Sequence, residues 1–140
     1  MHKKYLIFLL VGLLSMRASA SFILIPMDET QSNHLKAYGI AFKVLQDNND
    51  VQWLLNYKGG SFLIHDRTQY EQECSIRGVS FQIIADVQAG SILTDISNPE
   101  VNQEVVKLEK APKIAVYSPK NKMPWDDAVT MALDRKSTRL

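Results

Sequence analysis

Cysteine is nearly missing. Cys74 is the only one in 140 residues, which excludes an internal disulfide framework and a four-thiolate zinc site. Histidine is scarce too, and His2, His34 and His65 share no metal-ligand spacing, so neither a metal nor a cofactor is expected. The six glycines form neither G-x-G-x-x-G nor G-x-x-x-x-G-K-[ST], which removes the two commonest phosphate-binding loops. No apolar run reaches the ~18 residues of a membrane span. Repeats and low-complexity stretches are absent. The remainder is ordinary: 46% hydrophobic and 22% charged residues exclude a disordered or fibrous chain.

The two ends set the boundaries. Lys3 and Lys4 form a basic start, Tyr5 to Leu14 is apolar, and Ala18-Ser19-Ala20 supplies the small-x-small pattern read by an export peptidase. Residues 1–20 are therefore expected to be a signal peptide, and the mature protein to be exported, to a periplasmic or extracellular destination. At the other end, residues 134–140 (DRKSTRL) can be encoded by GAT-CGG-AAG-AGC-ACA-CGT-CTG. That string resembles a short-read sequencing adapter, so these seven residues are expected to be an artefact that truncates a longer protein at its C-terminus. Between the ends lie 113 residues, enough for one modest core.

Charge changes once the ends are set aside. The whole chain carries 16 basic and 15 acidic residues, whereas Ser21 to Leu133 carries 10 and 14, net −4. A mildly acidic body lacks the basic face that a nucleic acid requires. No nucleic-acid partner is expected, and no membrane contact after the leader is removed. The sequence carries no sign of oligomeric state.

Phe22 to Ile25 is a continuous apolar run ending at Pro26, the pattern of a buried parallel strand. Asp28 and Gln31 form a capping box that opens a helix along Leu35, Tyr38, Phe42 and Leu45. Val51 to Leu55 is a second strand, which completes a βαβ pattern. Ser61 to Ile64 reads as a short strand. Asp66 and Gln69 cap a helix to about Arg77, and Gly78 stands where a left-handed residue ends it. Val79 to Ile84 is another strand, and Asp86 caps a helix along Ala89, Ile92 and Ile96. Val101, Val105 and Leu108 read as one or two amphipathic turns, Lys113 to Tyr117 as a strand, and Pro124 as the first residue of a helix running from Trp125. This alternation predicts an α/β fold in three layers with a mainly parallel sheet built from βαβ units. Residues 21–110 form the domain, and 111–133 begin a further α/β unit or a second domain.

Ligands in open parallel sheets bind beyond the carboxyl ends of the strands. There lie Asp28, then Asn33 and His34 at the first turn of the next helix, and the Lys58-Gly59-Gly60-Ser61 loop. Asp28 suits a base or an N-cap, and His34 a general acid or a packed surface histidine. Gly59 and Gly60 suit an anion cradle or a plain tight turn, with Lys58 beside them. A small-molecule ligand is the expected partner of these seven residues. Cys74 lies inside a helix without the flanking glycines of a nucleophile elbow, so it reads as a buried structural thiol. No catalytic residue can be assigned.

Several stretches carry a resemblance. They are Ile23 to Asp28, Asn33 to Ala41, Trp53 to Phe62, Lys113 to Tyr117, and Pro124-Trp125-Asp126-Asp127-Ala128-Val129-Thr130-Met131. Together they resemble an exported Bacteroidetes-type family commonly labelled "asparagine synthetase B", whose chains are several times longer. The resemblance implies an amide ligase or a glutamine amidohydrolase. It transfers no catalytic residue: position 2 is His2 rather than a nucleophilic cysteine, and Gly59-Gly60-Ser61 runs into Phe62, Leu63 and Ile64 without an aspartate. Three classes of function stay open: a ligand-binding or amidotransferase-like domain, an enzyme of that family, and a structural or partner-binding module.

Overall fold

The computed structural model describes residues 21–113. The expected signal peptide, all but the first residue of the strand expected over Lys113 to Tyr117, the helix expected from Pro124 and residues 134–140 lie outside the described residues. In chain order the elements are β1 (Ser21–Ile25), α1 (His34–Gln46), β2 (Val51–Leu55), β3 (Ser61–His65), α2 (Thr68–Arg77), β4 (Gln82–Ala85), α3 (Asp86–Ile96) and β5 (Glu104–Leu108).

The expected parallel sheet is not what forms. The five strands lie in the order β4-β1-β3-β2-β5, and each of the four neighbouring pairs is antiparallel. β1 and β2 do run in the same direction, but β3 is inserted between them, pairing Leu24 with Leu63 and Trp53 with Phe62. Likewise β1 separates β3 from β4. Each predicted βαβ unit is thus a split one, and β1-α1-β2-β3-α2-β4 has the connectivity of the ferredoxin-like arrangement. The appended α3 and β5 carry the chain from the β4 edge to the β2 edge.

Side-chain alternation divides the core in two. Ile23, Ile25, Phe62 and Ile64 point to one face, where Ile40 and Val44 of α1 and Tyr70 and Cys74 of α2 cover them. Phe22, Leu24, Leu63 and Leu54 point to the other, under Ala89, Ile92 and Ile96 of α3. Coverage on both faces is why β1 and β3 read as unbroken apolar runs although neither has a parallel neighbour.

Three capping assignments also shift. Asn33, not Asp28, caps α1, its side chain accepting from the Lys36 amide at 3.1 Å. Arg67 precedes α2 with no side-chain cap, and Asp86 is the first residue of α3 rather than its cap. Gly78 ends α2 at φ 67°, in the left-handed region. Val105 and Leu108 belong to a strand, β5, not to a helical turn.

Candidate functional site

The two loops singled out by sequence do meet. Met27 donates its amide to the Lys58 carbonyl at 3.0 Å, which fastens the β1–α1 turn to the β2–β3 hairpin. His34 lies at the junction, its Nε2 3.2 Å from the carbonyl oxygens of both Met27 and Asp28. Carbonyls only accept, so Nε2 carries the proton. Asp28 forms an Asx turn: its Oδ1 accepts from the Thr30 amide at 3.0 Å and from the Thr30 hydroxyl at 2.6 Å. Those bonds, with Lys58 nearby, hold the Asp28 carboxyl below its usual value.

Most of the polar capacity of this junction is already engaged. Gly60 and Ser61 both donate their amides to the Tyr57 carbonyl at 3.0 Å, and the buried Ser61 hydroxyl donates there too. Asn33 is used as the cap of α1. Asn56, Lys58, Gly59 and Gly60 all have positive φ, so the hairpin turns through a left-handed stretch that two non-glycine residues share. Gly59 approaches the Met27 carbonyl so closely that any Cβ would overlap it. Its lack of a side chain therefore serves packing between the two loops.

Gln31 is a structural residue that the sequence pattern assigned wrongly. It is 5% exposed, and its side chain donates to the Pro26 and Ser80 carbonyls at 2.8 and 3.1 Å. Its Oε1 accepts from the Ser80 and Asn33 amides at 2.8 and 3.3 Å. Four bonds satisfy a buried amide and tie the β1–α1 turn to the segment between α2 and β4.

Two concave surfaces of the described residues lie elsewhere. One, of about 420 Å³, sits between the end of α3 and the start of β5, lined by Ile96, Ser97, Pro99, Val101 and Glu104 among others. The other, of about 190 Å³, is an apolar groove between α1 and the β2–β5 edge. Tyr38 and Phe42 form its α1 wall, Trp53 and Phe62 its floor, and Leu108 and Pro112 its far side. Trp53 stacks on Phe62 with centroids 6.1 Å apart, and Tyr38 meets Phe62 edge-on at 5.3 Å. The indole N–H is already bonded to the Gly60 carbonyl at 3.0 Å. None of the seven candidates from sequence lines either surface. The readable signal for the groove was Tyr38 and Phe42, four residues apart on one stripe of α1.

Cys74, on the inner face of α2, is fully buried, and burial pushes its thiol up to about 11. A thiol so raised supplies almost no thiolate near neutrality. Native protein at pH 8 is accordingly expected to resist a maleimide reagent that labels the unfolded chain within minutes. Rapid labelling without denaturant would show that the α2 face opens. Among the described residues no group of three or more His, Cys, Asp or Glu is placed to hold a metal ion, and no helix is long and apolar enough to cross a membrane. Comparison with known proteins adds no relative: no protein-family model, no curated protein and no solved structure matches the chain.

Proposed function

We propose that the chain is an exported docking module whose apolar groove receives an amphipathic helix, the occupant being its own segment Trp125–Leu133. The observation that carries this reading is the position of the groove. It opens beside Pro112, next to the last described residue, Lys113, and the described elements leave it uncovered. Tyr38 is 49% exposed at its rim, although its ring packs on Phe62. α1 and α2 cover β1 and β3 on that face, whereas Val106 and Leu108 of the edge strand β5 are only half buried. Another helix beside α1 would complete the layer.

The segment has the matching pattern. Trp125, Ala128, Val129, Ala132 and Leu133 recur at i, i+3, i+4, i+7 and i+8, a single apolar stripe. Twelve residues separate Pro112 from Trp125, a tether of roughly 40 Å when extended, ample for the helix to return to the groove. A hydrocarbon and aromatic lining suits docking by burial of apolar surface.

The test uses the exported chain and the dye ANS, which fluoresces on exposed apolar surface. The unaltered protein is expected to leave the dye dark, and Val129→Asp to raise its emission several-fold while Cys74 stays protected from labelling. An unaltered protein that already lights the dye, or a Val129→Asp variant that does not, overturns the proposal. If the bare groove instead closes as concentration rises, sedimentation will assign the occupant to a second copy.

A further inference from the structure

The first described residue, Ser21, is also the residue that would follow the predicted cleavage after Ala20, and it is already the first residue of β1. Ser21 is held there by one partner above all. Its hydroxyl donates to Asp66 Oδ2 at 2.7 Å, and its carbonyl accepts from the Asp66 amide at 3.0 Å. The other carboxylate oxygen, Asp66 Oδ1, is buried and has no hydrogen-bond partner among the described residues. Glu71 stands within hydrogen-bond reach, its carboxyl raised by desolvation, then by the Asp66 charge and by a proton that only one of the two carboxyls can hold between them. None of the four ion pairs among the described residues involves Asp66 or Glu71. Two neighbouring acids, with no donor for Asp66 Oδ1 while both are ionised, thus lack a cation among the described residues.

We infer that cleavage after Ala20 supplies this cation, the Ser21 α-ammonium, which pairs with Asp66 and locks the start of β1 into the sheet. Hydrolysis of the Ala20–Ser21 peptide bond consumes one water, leaves the carboxylate on Ala20 and frees the amine of Ser21. That amine, with an ordinary pKa of about 7.7–8.0, takes a proton at neutral pH. An amide with one hydrogen thereby becomes a cation with three donors, next to an unfilled acceptor. The Ser21 hydroxyl and carbonyl are both fixed to Asp66, so the new amine is held beside it. Maturation then stabilises the fold as well as releasing it.

This inference rests on the export reading, and the experiment separates the two. The precursor is expressed in a bacterium with an export pathway, and the exported product is weighed intact and sequenced from its N-terminus. A start at Ser21 is expected; a start elsewhere overturns the processing step. Independently, protein released with Ser21 as its first residue is compared with the same chain carrying one extra glycine before Ser21. The extension is expected to lower the thermal midpoint by roughly 4 °C or more, Asp66→Asn by a similar amount, and both together by little more than either. A further readout is the Ser21 amine itself, which should acylate more slowly at pH 7 in the unaltered protein than in Asp66→Asn. Equal midpoints and equal acylation rates would overturn the pairing, whatever the cleavage site proves to be.

Discussion

Gly59→Ala is expected to destabilise the protein by about 2–4 kcal/mol, the sum of two separate costs. Gly59 has φ 78°, a left-handed conformation that an L side chain tolerates at roughly 1 kcal/mol. The larger cost is steric. An alanine Cβ would overlap the Met27 carbonyl oxygen, and would stand 2.6 Å from its carbon and 2.9 Å from the Asp28 nitrogen. These are backbone atoms, and Met27 is itself fixed through its 3.0 Å bond to Lys58, so neither side can yield cheaply. Gly78 is the control. Its φ is 67°, yet nothing lies within 4 Å of the Cβ it would gain, so Gly78→Ala should cost only about 1 kcal/mol. Urea denaturation of both variants separates the terms, with an unchanged slope confirming that the unfolded state is not what moved. Equal losses would mean that the two loops do not approach as closely as described. Because Asp28, His34 and Lys58 meet at this contact, Gly59→Ala should also disperse them.

That junction shows how much of the molecule was legible in advance. Asp28, Asn33, His34 and the Lys58 to Ser61 loop were named from their place after strands; of these, Asp28, His34, Lys58 and Gly59 meet around Met27, while Asn33 and Ser61 bond within their own helix start and hairpin. They were named for the wrong reason, however, since the carboxyl-end rule belongs to parallel sheets and this sheet is antiparallel. The elements themselves were readable because periodicity is local: β1, α1, β2, β3 and α2 lie close to where the apolar spacing placed them. Strand direction is not local. The run Phe22 to Ile25 reports that both faces are covered, and it says nothing about the neighbours' sense. One sign was present. Only Asn56 to Gly60 separate β2 from β3, too few for a parallel crossover, which takes a dozen or more residues. The double role of Gln31 was illegible, because its partners at Ser80 lie 49 residues away. The same holds for Asp66, read as a cap, whose side chain bonds Ser21 across 45 residues.

Two adjacent residues of the central strand test the two-faced core itself. Leu63 and Ile64 are each 1% exposed, but they point in opposite directions: Leu63 packs under α3, and Ile64 against the α1 and α2 side. In an antiparallel sheet with one solvated face, truncating one of them would be nearly free. Here Leu63→Ala and Ile64→Ala are each expected to cost about 3 kcal/mol, through lost transfer energy and the cavity left behind. The total stability of a domain this size is about 5–15 kcal/mol, so either variant should still fold and both together should approach unfolding. Chemical denaturation followed by circular dichroism measures each loss. The informative result is the ratio. Near-equal losses mean that α3 is docked as firmly as α1 and α2, although it follows β4 without a side-chain cap at its start. A loss below 1 kcal/mol for Leu63→Ala alone would mean that α3 rests loosely on the sheet and that Phe22, Leu24 and Leu54 meet water. The second face, rather than the groove beside α1, would then be the surface that needs a partner.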